Sequence, residues 1–209
     1  MRAPTVSILL ATLLGGCGGV LSRNPASDGA TTKDDERLVG FWYVEDQAPG
    51  SGRADPSHDA SILVVGRKAA GERSLELVGV TLKRDTTLDV LRGEALATTI
   101  GAKDYASTRF PREDSKPSDG AAWSVVRYDM PDGDTLRVLG MEEKTVASDV
   151  RAGKIPGSVS ESKEPPGVEP KITVTLETST AVLRAYLEQR GDGVFGADKP
   201  LVLRRLRTK

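Results

Sequence analysis

The one histidine, His58, stands in Ala54-Asp55-Pro56-Ser57-His58-Asp59, so a hydroxyl, an imidazole and two carboxylates are close neighbours in the chain. These are the side-chain types of a nucleophile, a general base and the group that orients it. Acyl transfer needs them on separate elements that converge in space, which neighbours in one turn do not do. His58 therefore reads as an exposed loop residue. No Gly-x-Ser-x-Gly elbow and no His-Glu-x-x-His pair occurs. Gly191, Gly193 and Gly196 have the look of a phosphate-cradling loop, but they follow an expected helix instead of opening one. One Cys and one His are too few for a zinc site, and a lone Cys excludes an intramolecular disulfide. Carboxylate pairs can do acid–base work, yet among 30 Asp+Glu no pair is singled out by its spacing. The expectation is a protein that is not an enzyme and needs no cofactor. With 29 Lys+Arg spread along the chain and a formal net charge of −1, there is no basic stripe to neutralise phosphates, so nucleic-acid binding is demoted as well.

Cys17 is different, because its surroundings do point to chemistry. Residues 1–16 carry one positive charge, Arg2, then an apolar run from Val6 to Leu14 broken only by Ser7 and Thr12, then Gly15-Gly16. That is the layout of a secretory signal, and its core is shorter than the roughly 20 residues a membrane span requires. Leu14-Gly15-Gly16-Cys17 resembles the lipobox of bacterial lipoproteins. The resemblance implies cleavage between Gly16 and Cys17. Cys17 would then carry a thioether-linked diacylglycerol and an amide-linked acyl chain such as palmitate. More than one chain, at about 0.8 kcal/mol per buried CH₂, makes such an anchor stable. Gly18 follows Cys17, where lipoproteins kept in the inner membrane resemble an Asp-containing pattern. The expected address is thus the bacterial envelope, at the outer membrane facing the periplasm. Residues 17–37 are small, polar and charged and read as the lipidated Cys and a flexible tether.

From Leu38 onward short apolar runs are cut by Gly, Pro and Asp, which predicts an antiparallel, mainly β domain over 38–209. Strands are expected near 39–45, 60–67, 73–83, 88–100, 104–109, 122–129, 134–140, 171–177 and 201–207. Leu75 and Leu77 share one phase while Val78, Val80 and Leu82 take the other, which predicts a bulge at Gly79. Asp132-Gly133 between two apolar runs predicts a hairpin. Helices are expected over 179–191, where Val182, Leu183, Tyr186 and Leu187 share a face between Ser179 and Gly191, and over 143–152, closed by Gly153. Residues 154–170, with Pro156, Pro165, Pro166 and Pro170, read as a surface loop without a core.

This order of many antiparallel strands, a helix, and one closing strand is similar to the lipocalin-like barrels. Gly40-Phe41-Trp42 resembles the Gly-x-Trp that opens their first strand, and Lys103-Asp104-Tyr105 a degraded form of their Thr-Asp-Tyr loop. The resemblance implies a barrel whose base is built from Gly40 and Trp42, with Arg204 or Arg205 lying over the indole. The chain is also similar to small uncharacterised bacterial lipoproteins with a Gly-x-Trp start and a Leu-Arg-x-Tyr-Leu helix near the end, here Leu183 to Leu187. The expected function is a lipid-anchored lipoprotein binding an apolar or amphipathic small molecule in a pocket lined by residues such as Val64, Leu77 and Val125. The alternative is a structural or assembly accessory whose barrel is filled by its own side chains and which acts through envelope protein partners.

Overall fold

The computed structural model describes residues 19–44, 60–69, 72–82, 86–110, 122–163, 170–196 and 200–207. Eight of its strands close into an antiparallel barrel: β2 (Gly40–Val44), β3 (Ala60–Arg67), β4 (Leu75–Leu82), β5 (Leu88–Ile100), β6 (Lys103–Arg109), β7 (Trp123–Asp132), β8 (Thr135–Gly140) and β11 (Leu201–Arg205). Each pairs with the next, and β11 returns to lie between β8 and β2. The ring thus has no free edge, which removes the aggregation hazard of an open sheet.

Alternation with period two sets what faces inward. Trp42, Val65, Leu75, Leu77, Ala95, Ala97, Ala106, Val126, Tyr128, Leu136 and Leu203 form one buried cluster along the barrel axis. Ala97 and Ala106 are cross-strand partners, and their small size leaves room for the large rings of Trp42 and Tyr128. The ladders of β4 run unbroken through Gly79 on both sides, so the expected bulge is absent. Leu75, Leu77 and Thr81 point in, whereas Val78, Val80 and Leu82 point out of the barrel. The change of apolar phase marks two different faces of a straight strand. The irregularity lies instead in β7, between Asp129 and Asp132, beside the Gly133 turn. There Asp132 accepts from the Asp134 N–H and the Thr135 hydroxyl and so ties the hairpin.

A second layer covers the outside of β5 to β8. It consists of β1 (Gly19–Ser22), β10 (Ile172–Leu176), β9 (Gly157–Glu161) and two helices, α1 (Glu143–Arg151) and α2 (Thr180–Arg190), the latter continuing as a 3-10 turn over Gly191–Val194. Ile100, Tyr105, Val125 and Leu139 of the barrel wall meet Val146, Val174, Leu183 and Leu187 in a second core. Ser179 caps α2 by accepting from the Val182 N–H, and Gly191, at φ +54°, ends it. Val182, expected on the packed face, is exposed, because the inward stripe of α2 is Leu183, Tyr186 and Leu187.

Two expectations are corrected here. The segment expected as a tether over 17–37 is, from residue 19 onward, part of the folded body: Gly19–Ser22 pairs in parallel with β10 and antiparallel with β7. Ser124 of β7 pairs with Thr108 of β6 and with Leu21, so β1 occupies the edge that β8 leaves after Gly140. Ala26 and Ser27 are fully buried; the Ala26 N–H donates to Ser107 Oγ and the Lys33 N–H to the Ala97 carbonyl. Small side chains looked like a linker, yet smallness is what lets this backbone lie directly on the barrel wall. Likewise, 154–170 is not wholly a surface loop. Ile155 is buried, and Gly157–Glu161 forms the edge strand β9 with only Val159 as an apolar contact, too little to register as a strand. A chain beginning at Leu38, as a tether would permit, is expected to lose cooperative unfolding in a urea titration. An unchanged midpoint would show that the segment adds nothing to the body.

Candidate functional site at the barrel axis

The base of the barrel is built round Trp42. β2 directs its ring inward, where it is fully buried, and its indole N–H donates to the Leu38 carbonyl, 2.9 Å away, in the 3-10 turn Glu36–Leu38. Arg205, from β11, lies over the ring at 4.3 Å from its centroid. Its Nη1 donates to the Val39 carbonyl at 2.7 Å, Nη2 to that of Arg37 and Nε to that of Gly133. One guanidinium thereby ties the turn before β2, the β7–β8 hairpin and the last strand together. Gly40 makes this arrangement fit: at φ +148° a Cβ there would stand 2.7 Å from Arg205 Nη1. Arg204 points out of the barrel and donates to Thr135.

A charged cluster flanks the base. Asp35 is almost fully buried; its Oδ1 accepts from Arg37 Nε at 2.7 Å, and its Oδ2 from Arg37 Nη2 at 2.6 Å and the Tyr128 hydroxyl at 2.7 Å. Burial alone would raise the pKa of this carboxyl, but the hydrogen bonds from Arg37, Tyr128 and Lys33 outweigh burial and hold it well below the usual carboxylate range. Burial and the bond to Asp35 push the Tyr128 hydroxyl up. Asp104, of the Lys103-Asp104-Tyr105 run, accepts from Lys33 at 2.6 Å, Arg37 at 2.8 Å and Thr99 at 2.9 Å. Together these groups fasten the segment before β2 to β5, β6 and β7.

Above the base, Leu63, Leu75, Leu77, Ala95, Val126, Leu136 and Leu201 are among the lining of an apolar cavity of about 90 Å³. Phe110 also lines it, its ring in the space that Gly93 leaves: a Cβ at 93 would stand 2.5 Å from Phe110 Cδ1. Of the residues expected to line a pocket, Leu77 does so. Val64 faces out of the barrel and Val125 faces the second core, because each is one residue out of phase with the inward set. The sequence reading missed Phe110 and Gly93; a Gly within a strand, opposite an apolar partner strand, was the available signal. Gly16, Cys17 and His58 lie outside the described residues. Among the described residues, no group of three His, Cys, Asp or Glu side chains is placed to hold a metal ion.

Replacing Trp42 by Ala is expected to lower stability by about 3–5 kcal/mol, since a large buried ring is removed from a closed space; chemical denaturation reads this directly. Because the Asp35 pKa is depressed on folding, its contribution is present above about pH 4 and is lost as pH falls toward the folded value. Asp35→Asn is therefore expected to be less stable than the parent at pH 7 and to show a flatter fall in denaturant midpoint between about pH 5 and pH 2. Parallel acid limbs for the two proteins would mean that Asp35 is not the group responsible. No protein-family model, no curated protein and no solved structure matches this chain.

Proposed function

We propose that this chain is a lipid-anchored envelope lipoprotein, held through Cys17, that serves as a structural or assembly accessory through protein partners, without catalysis. The observation that carries the reading is the barrel interior. Sites for small molecules commonly offer about 300–1,000 Å³, and the 90 Å³ left between the inward side chains is far below that. An eight-stranded barrel is narrow enough for its own side chains to fill it, and here Trp42 and Tyr128 share the interior with Leu, Val and Ala side chains such as Leu75, Leu136 and Val126. A protein with little room inside acts through its outside. The lipocalin-like base of Gly40, Trp42 and Arg205 then serves to fix the shape of a scaffold. The anchor is supported by the run Leu14 to Cys17. The outer membrane, facing the periplasm, is the proposed address.

One observation favours a second reading, the binding of an apolar or amphipathic small molecule. The cavity lining is almost entirely apolar and includes Phe110, whose ring lies against Gly93. Native mass spectrometry of the protein from its own envelope separates the two. The scaffold reading expects the mass of the lipidated polypeptide alone, and a discrete further mass lost on denaturation would replace it with the carrier. For the anchor, Cys17→Ala is expected to move the protein from the membrane to the soluble fraction. Unchanged membrane association with an unmodified Cys17 peptide in the parent would remove the lipoprotein reading.

A further inference from the structure

Among the described residues the barrel is clothed on one side only. The outward residues of β5 to β8 lie beneath α1, α2 and the β1–β10–β9 extension, while the outward face of β2 to β5 carries Phe41, Tyr43, Val80, Leu82, Leu88 and Val90. Tyr43, Ile62, Val80 and Val90 are consecutive cross-strand partners, and Leu82 faces Leu88, so these side chains form one continuous wall. Leu88 is 62 % exposed, Val90 56 % and Phe41 51 %, so no described part of the chain covers them. A contiguous apolar surface of this kind marks an interaction site.

We infer that this wall docks a protein partner presenting the apolar stripe of an amphipathic helix. Size is the first reason. With strands about 4.8 Å apart and about 3.3 Å per residue, the wall is about 14 Å on a side. One helix, about 10–12 Å across, covers it, whereas a stable dimer wants about 800 Å² from each partner. The fold itself supplies the second reason. The opposite wall is the same convex sheet surface, and Leu183, Tyr186 and Leu187 of α2 form part of its cover, together with Val146 of α1 and Val174 of β10.

Position supplies the third reason, which rests on the proposed anchor at Cys17. Only Gly18 separates that residue from Gly19, the first residue of β1, and two residues reach at most about 7 Å. β1 is fixed to β7, and in the ring of eight β7 lies across the barrel from β3. The bilayer is thus on the β1 side and the apolar wall faces the aqueous compartment. Neither that bilayer nor a second copy standing beside it in the same orientation can cover the wall.

Photo-cross-linking side chains placed one at a time at Leu88, Phe41 and Lys171 of the full chain, in intact envelopes, test this. Lys171 lies two residues before Thr173, the partner of Gly19, and so marks the bilayer side. The expected result is a discrete protein adduct from Leu88 and Phe41 and lipid adducts from Lys171. Sequencing the adduct should place the captured partner residues three or four apart. Val80→Lys with Val90→Glu is expected to reduce the Leu88 adduct about tenfold or more with little change in the denaturant midpoint, since Val90 is exposed, Val80 is half-buried and the two opposite charges would be cross-strand partners. Lipid adducts from Leu88, an adduct of twice the chain's own mass, captured residues without helical spacing, an adduct indifferent to the two substitutions, or no adduct at all would each overturn the proposal. Failure of the anchor reading shows separately, as the absence of lipid adducts at Lys171 in the parent protein.

Discussion

The fold depends on one closure: the last strand must come back to the first strand of the barrel. β11 pairs with β2 through Leu203↔Val44 and Arg205↔Trp42, residues separated by most of the chain. Such a contact carries a large loop-closure cost and needs a strong local reward. Arg205 provides it. Its guanidinium lies on the Trp42 ring and donates to three backbone carbonyls on two other segments. A flexible Lys could offer the charge but not a planar fork able to stack and donate together. The ladder and the base are thus closed by the same side chain, and Gly40 is the concession the backbone makes to admit it.

The closed ring then divides the molecule into two cores with different rules. Inside, period-two alternation selects one residue in two, and the volume is shared between rings and alanines. Outside, the wall is apolar as well, but only β5 to β8 receive a cover. That cover draws on pieces far apart in sequence: β1 from the start of the described chain, α1 and β9 from the middle, β10 and α2 from near the end. Their mutual packing is anchored by Tyr186, whose hydroxyl bonds Asp149 of α1 at 2.8 Å, with Lys154 also 2.8 Å from that carboxylate. A buried acid of α1, satisfied by Tyr186 of α2 and by Lys154 just past the end of α1, keeps the helices in register, at the cost of desolvating the charge.

What could be read from the sequence follows this division. β3 and β5 stand at 60–67 and 88–100 as expected, because short apolar runs bounded by turn-forming residues mark where strands begin and end. Leu183 to Leu187 were legible as a helix through a single buried stripe between a serine cap and a glycine exit. β1 and β9 were not. Gly19–Ser22 and Gly157–Glu161 contribute mainly backbone hydrogen bonds, which any residue but proline can make, so composition carries no trace of them. Gly79 misled for a related reason. Val78, Val80 and Leu82 look like core residues displaced by one position, yet they are true outward residues of a straight strand.

That misreading bears on function. A sequence-based argument assigns an apolar residue to the core unless a break in phase forbids it, so an apolar outer wall is disguised as an irregular strand. The phase of β4 and its ladder to β5 expose the disguise: both faces of these strands are apolar, one filled by Trp42 and its neighbours, the other bare. Among the described residues the interior holds a cavity of about 90 Å³, and the apolar character the strands carry beyond that interior lies on the outside. Burying an exposed leucine or valine yields about 1.5–3 kcal/mol, so leaving several uncovered is a standing disadvantage for solubility. The arrangement is consistent when the interior is regarded as scaffold and the wall as the working surface: the first holds the curvature that the second needs in order to present a convex apolar face.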